Sequence, residues 1–323
     1  MRMTKTLTTI GALVATTTMA TAQGFPSKPI SIVMPYAAGG PGDAITRIVA
    51  QGMTEPLKQQ IIVENISGAA GTIGSARVAA STPDGHSLLL MHIGHATNVA
   101  LYPNLKYNSV TDFEPIGLVG DVPMLMVAKK GFEPADFKSF VEYVKTNKEK
   151  LTYAHAGIGS ASHLCGMLFF SAIGVETRQV PYRGTGPAMN DLLGGQVDFL
   201  CDQTVNTVPN AQAGTIKAYA VTTPERLASV PQLPTADESG LKGFDLSIWY
   251  AIYAPKGTPK PVVDTLANAL QVALKSPATA DKLTTIGVNV MPERANPDAL
   301  AKHLKAEIEK WVPVIKKAGV KGE

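Results

Sequence analysis

Short apolar runs rich in β-branched residues alternate with helix-period segments along most of the chain. Ile30–Met34, Ile61–Val63, Leu88–Met91, Met124–Ala128, Leu151–Ala154, Val197–Leu200, Ala218–Val221 and Ile248–Tyr253 have the length and composition of buried strands. Between several of them the apolar positions move to a helical period. Ile45, Ile48, Val49, Gly52 and Met53 follow the i, i+3, i+4, i+7, i+8 pattern, and Phe137, Phe140, Val141 and Val144 follow its first two turns. A last helix is predicted to start with Asn296 as N-cap and Pro297 at its first position. Leu300, Leu304, Ile308, Trp311 and Ile315 form its apolar stripe, and Pro313 is expected to bend it near the end. Strands that alternate with helices predict βαβ units and a largely parallel sheet covered on both faces.

The first residues follow a different pattern. Arg2 and Lys5 precede an uncharged stretch from Leu7 to Met19, and Ala20-Thr21-Ala22 supplies small residues at the spacing of an export-signal cleavage site. The apolar run is shorter than the roughly 20 residues a membrane span needs. The expectation is therefore a signal peptide over residues 1–22, cleaved after Ala22. The formal charge is +3, and both cations lost with the signal bring the remainder close to neutral. Such a balance leaves no footprint for nucleic acid or an anionic membrane surface. The chain is 17% charged and 45% hydrophobic over 323 residues, which suits a well-filled α/β core divided between two lobes. Cys165 and Cys201 either pair in an oxidising compartment or remain two buried thiols, and both alternatives stand at this point.

No Ser/Gly tract or charge run marks an interdomain linker. Two lobes would then be joined by ordered strands, for which Asp121–Ala128 and Ser247–Ala254 are the candidates. That places lobe 1 at residues 23–124 and 248–323, lobe 2 at 125–247, and a hinge at the two crossings.

The candidate chemistry sits at turns after strands. Tyr36-Ala37-Ala38-Gly39-Gly40-Pro41-Gly42 follows the first strand and opens a helix at Asp43. A glycine-rich turn of this kind aims free backbone N–H groups, together with the helix dipole, at an anion without using a cationic side chain. His155-Ala156-Gly157-Ile158-Gly159-Ser160-Ala161-Ser162 repeats the arrangement in the other proposed lobe. Two such turns facing across a cleft would suit a carboxylate. Three further segments are expected to line it: His92 through Thr97 with His95, Pro181 through Gly186 with the guanidinium of Arg183, and Cys201 through Thr204 with Asp202. Asp43 equally serves as a first-turn acid, and Ser160 and Ser162 as helix caps.

Enzyme readings meet specific obstacles. Gly40-Pro41-Gly42 with Glu64 imitates a dinucleotide fingerprint, but Ile45 occupies its third glycine position. Ser160 and His163 lack a nucleophile elbow and an assignable acid. His92 and His95 lie on a strand end and loop, not at the helical spacing of a metal pair. No catalytic residue, metal or cofactor is assigned.

The residues also carry a family resemblance. Phe25-Pro26-Ser27-Lys28-Pro29-Ile30, Pro35 through Gly40 with Asp43 and Arg47, Val63-Glu64-Asn65 with Gly68-Ala69-Ala70-Gly71, and Pro83-Asp84-Gly85-His86 resemble the opening of the Bug receptors. These are periplasmic solute-binding components of tripartite tricarboxylate transporters. Tyr153-Ala154 with Gly157 through Ser160, Val180 through Gly184, Leu192 through Asp198 and Ala254 through Pro259 extend it over the chain. Arg183 stands where a lysine is expected, Cys201 where a large apolar residue is usual, and Pro41-Gly42 where small residues are usual.

The resemblance implies an α/β fold of periplasmic-binding-protein type II, a Venus flytrap with two doubly wound lobes joined by two crossing strands. It implies a monomeric periplasmic receptor that delivers a small carboxylate to the transporter's membrane subunits, or else a sensor presenting its closed form to a two-component kinase. One ligand carboxylate would be gripped by Tyr36, Gly39, Gly40 and Asp43 together with Gly159, Ser160, Ala161 and Ser162. The far end would be read by His95, Thr97, Arg183, Asp202 and Thr204.

Overall fold

The computed structural model describes residues 24–322, so the export signal and its cleavage point lie outside the described residues. Ten strands are present: β1 Ile30–Met34, β2 Ile61–Asn65, β3 Ser87–His92, β4 Phe113–Lys129, β5 Thr152–His155, β6 Arg178–Pro181, β7 Phe199–Gln203, β8 Ile216–Val221, β9 Ser247–Pro255 and β10 Asn289–Val290. The α-helices are α1 Pro41–Leu57, α2 Thr72–Ala79, α3 Gly94–Leu101, α4 Phe137–Asn147, α5 Ala161–Ile173, α6 Thr185–Leu193, α7 Thr204–Gln212, α8 Lys260–Lys275, α9 Pro277–Thr285 and α10 Pro297–Ala318.

The strands form two sheets that share β4. In the first, β1 lies parallel between β2 and β3, and β9 runs antiparallel between β3 and the Phe113–Pro123 half of β4. In the second, the Met124–Lys129 half of β4 is flanked by antiparallel β7 and β8, with β5 and β6 parallel beyond β7. β4 thus changes neighbours at Pro123/Met124 and crosses from one sheet to the other. The return is made where Leu246 N–H donates to the Thr222 carbonyl at 3.0 Å, after which the chain enters the first sheet as β9.

The helices follow the predicted apolar periods. Ile45, Val49 and Met53 of α1 are buried, as are Phe137, Phe140, Val141 and Val144 of α4. Burying one such side chain contributes about 1.5–3 kcal/mol. Asn296 caps α10 by accepting from the Ala299 N–H at 2.9 Å, and Leu300, Leu304, Trp311 and Ile315 are its buried stripe. α10 continues through Pro313 to Ala318.

Cys165 of α5 and Cys201 of β7 form a disulfide, with their Cα atoms 6.1 Å apart. It ties the helix that follows the second glycine turn to the strand beside it.

Candidate functional site

Each glycine turn is shaped by its own side chains. In the first, Gly39 takes φ +80°, a conformation glycine adopts without cost. Its N–H donates to Asp43 at 3.1 Å. The Asp43 carboxylate also accepts from Asn65 Nδ2 at 3.0 Å and from Arg47 Nε at 3.1 Å. Burial pushes the Asp43 carboxyl up, but the bonds from Arg47, Gly39 and Asn65 outweigh it and hold the acid below the usual range. Asp43 therefore organises the turn, and the Gly39 N–H is committed to it.

The second turn follows similar logic. Gly159 has φ +95° and its N–H donates to His163 Nδ1 at 3.2 Å. Ser160 caps α5 by accepting from the His163 N–H, and Ser162 Oγ accepts from the Ala156 N–H at 2.9 Å. The Ser160 N–H is bound to the Gly157 carbonyl. The donors left for a ligand are those of the first helical turn, where Ala161 and Ser162 have no intrahelical acceptor.

The first turn meets the loop that opens α6, and the end of α3 meets the second turn. The Ala37 N–H donates to the Arg183 carbonyl at 3.0 Å, and Thr97 Oγ1 and Tyr102 Oη reach the Gly159 and Ile158 carbonyls at 3.4 and 2.7 Å. Between the starts of α1, α5 and α6 lies a narrow inner cavity of about 30 Å³. It is lined by Gly40, Pro41 and Gly42 at the start of α1, Ser160, Ala161 and Ser162 at the start of α5, and Gly184 and Thr185 at the start of α6. Three helix N-termini converge on one point, and each contributes positive potential there. No lysine or arginine lines this cavity. His92 does, but burial lowers its pKa to about 3, so its ring is neutral. Gln203 and Tyr250 complete the floor, joined by a 2.9 Å bond from Tyr250 Oη to Gln203 Oε1.

Tyr36 and Ala156 also border a larger outer cavity of about 730 Å³. Its walls are Ala69, Ala70 and Tyr102 on one side and Gly157, Ile158, Tyr182 and Arg183 on the other. Arg183 is its one charged residue, on an exposed turn whose backbone is pinned by Ala37.

Of the predicted residues, Tyr36, Gly40, Asp43, Ser160, Ala161 and Ser162 line the inner cavity and Arg183 the outer one. Gly39 and Gly159 shape the turns behind them. The remaining four depart from expectation. His95 does not line either cavity: residues 94–101 are helix α3, which turns its ring into a cluster with Tyr107, Phe113 and Tyr253, bonded to the Ser109 carbonyl at 3.1 Å. Thr97, on the same helix, is buried and touches the second turn without facing a cavity. Thr204 bonds to the Gly287 carbonyl, and Asp202 is buried behind Thr185 and Gln203. The three further segments expected to line the cleft do so through His92, Tyr182, Gly184, Thr185 and Gln203 besides Arg183. Tyr102 and Tyr250 are lining residues that sequence reasoning missed, and neither carries a local signal.

The chain is similar to known proteins over most of its length. The model of the tripartite tricarboxylate transporter family receptor matches residues 45–320. A protein from the TAR-I ttuE-ttuC' intergenic region of Agrobacterium vitis is 48% identical over 91% of this chain and 86% of its own length. BugT of Bordetella pertussis is 31% identical over 99% of both chains. Among solved structures, the periplasmic binding protein BugD is 49% identical with a TM-score of 0.91, covering 93% of this chain and all of its own. MatC of Rhodopseudomonas palustris, with bound malate, is 41% identical with a TM-score of 0.87, covering 90% of this chain and all of its own. Another R. palustris protein, with adipate, is 32% identical with the same TM-score, over 92% and 99% of the two chains. With the model spanning most of its length and relatives of this identity, the chain belongs to the tripartite tricarboxylate transporter receptor family and has the periplasmic-binding-protein fold.

Proposed function

We propose that the protein is an extracytoplasmic receptor that closes on a small dicarboxylate and delivers it to the membrane subunits of a tripartite transporter. The observation that carries this reading is the convergence of the α1, α5 and α6 N-termini on one small cavity that shares Tyr36 and Ala156 with the larger cavity bordered by Arg183. Backbone donors and helix dipoles suit one carboxylate. A guanidinium clasps a second bidentately, and the outer cavity has room for the carbon chain between them. Malate and adipate, which the two R. palustris relatives hold, are acids of this class.

In this reading the ligand selects the closed arrangement, the state a membrane partner recognises. The lobes are residues 23–124 with 248–323 and residues 125–247, and export follows cleavage after Ala22. Nothing in the site acts as an activated nucleophile or a poised acid–base pair, so binding without turnover is the proposed activity.

The test is a thermal-shift screen of ligand-stripped protein against mono-, di- and tricarboxylic and aromatic acids. A ligand that binds only the native state raises Tm by mass action, by about 2.7 kcal/mol of apparent stability at a hundredfold excess over Kd. A shift with diacids supports the reading. No shift with any acid, or conversion of the bound acid, overturns it.

A further inference from the structure

Behind the inner cavity lies a carboxyl group without a counter-ion. Asp202, at the end of β7, is fully buried. One oxygen accepts from Asn206 Nδ2 of α7 at 2.9 Å, and Oδ1 has no hydrogen-bond partner. Among the described residues no ion pair reaches it. Its neighbours are uncharged on every side: Leu125 opposite it on β4, Thr185 of α6, Asn206 of α7, Tyr153 of β5 and Tyr250 of β9. Both tyrosines are held neutral, because burial raises their pKa above the usual phenol range.

The same neighbours separate Asp202 from the site. Thr185 lies beside Asp202 and lines the inner cavity, and Gln203, the next residue along the chain, lines it too. A ligand carboxylate seated there would have Asp202 behind Thr185 and Gln203; in the cavity wall itself the Asp43 carboxylate is paired with Arg47, His92 is neutral, and no lysine or arginine is free to offset Asp202 and the ligand. Two negative charges so placed in a poorly solvated interior raise the pKa of the group that can take a proton.

We propose that Asp202 takes up one proton as the site captures its carboxylate, so that anion and proton bind together. This rests on the dicarboxylate reading above. Burial already holds the Asp202 carboxyl at about 6, although bonds from Asn206, the Gln203 backbone and Thr185 pull the other way. The free protein therefore loses this proton as the pH rises through about 6, and the bound ligand restores it. Affinity is then flat below that pH and weakens above it, by up to about tenfold per pH unit for one linked proton. Acids of ordinary strength, with pKa about 4, are already ionised throughout this range and do not add to the slope.

Titration calorimetry with malate and with adipate, from pH 6 to 8 in two buffers of different ionisation heat, tests the proposal. The expected result is uptake of about one proton per ligand near pH 7 and a Kd that rises about tenfold per unit. The Asp202→Asn variant should show neither effect and should bind more tightly than the parent at pH 8. A parent Kd constant within about twofold, with heats independent of buffer, overturns the proposal. The parent measurement decides even if the variant fails to fold. Absence of binding by either acid at every pH overturns the dicarboxylate reading, and this inference with it.

Discussion

Replacing Gly186 by alanine separates closure from folding. Gly186 is the second residue of α6, where its backbone lies against the first glycine turn across the cleft. A Cβ there would stand 2.9 Å from the Gly39 carbonyl carbon, 3.0 Å from its oxygen and 3.1 Å from the Ala38 oxygen. All three are main-chain atoms, so no side chain can rotate away, and the start of α6 must separate from the first glycine turn. Overpacking of this kind costs about 1–3 kcal/mol. If the ligand-bound state is this closed arrangement, Kd should weaken by about 5- to 150-fold. The lobe itself should not suffer, since within a helix alanine is favoured over glycine by about 0.5–1 kcal/mol. The assay is paired: calorimetric Kd for malate and adipate, and Tm without ligand. The expected outcome is weaker binding with Tm unchanged or slightly raised. Parent-like affinity in Gly186→Ala would refute the argument that ligand is held with the first glycine turn and the start of α6 in direct contact.

Other outcomes follow from the same geometry. Arg183→Ala should weaken diacids by tenfold or more while leaving monoacids within about threefold; equal losses measured by calorimetry would remove the second-carboxylate contact. Ser160→Leu should abolish binding at the second turn, read as loss of the ligand-induced Tm shift. Asp43→Asn should destabilise the protein by about 1–3 kcal/mol in urea titrations at neutral pH, through lost bonds to Arg47, Gly39 and Asn65. Because the folded carboxyl is held below its ordinary value, that stabilisation is present above about pH 4 and disappears as pH falls through the lowered value, so parent and variant should converge in acid. Removing the disulfide as Cys165→Ala with Cys201→Ala should cost about 3–4 kcal/mol for a closed loop of this length, and an unchanged denaturation midpoint would argue against it.

The sequence made the fold legible wherever a buried face imposed a period. β1 was readable to the residue, because Ile30 to Met34 is almost wholly apolar and ends at a glycine turn. β6 was not, since Arg178 to Pro181 is an edge strand with mostly exposed side chains and no apolar pattern. Only the second half of β4 was readable. Pro115, Gly117, Gly120 and Pro123 break the first half, and the structure accommodates them with register shifts between Pro115 and Gly117 and between Leu118 and Gly120. At the site, both glycine turns were legible because their chemistry is local. The contributions of Tyr102 and Tyr250 depend on contacts between distant segments, which no spacing reports. His95, Thr97, Asp202 and Thr204 lie outside both cavities. A strand end alone does not report exposure: α3 begins just after β3 and α7 just after β7, and all four side chains are buried there.

β4 has a mechanical consequence. A strand bonded on both flanks within each sheet can neither stretch nor slide, so relative motion of the two sheets must be taken up as torsion near Pro123 and Met124, where its partners change from β9 to β7 and β8. Displacement should therefore grow with distance from that point, like the ends of a pair of tongs. The amides of Met124 to Ala128 should exchange with deuterium equally slowly whether the tongs are open or shut.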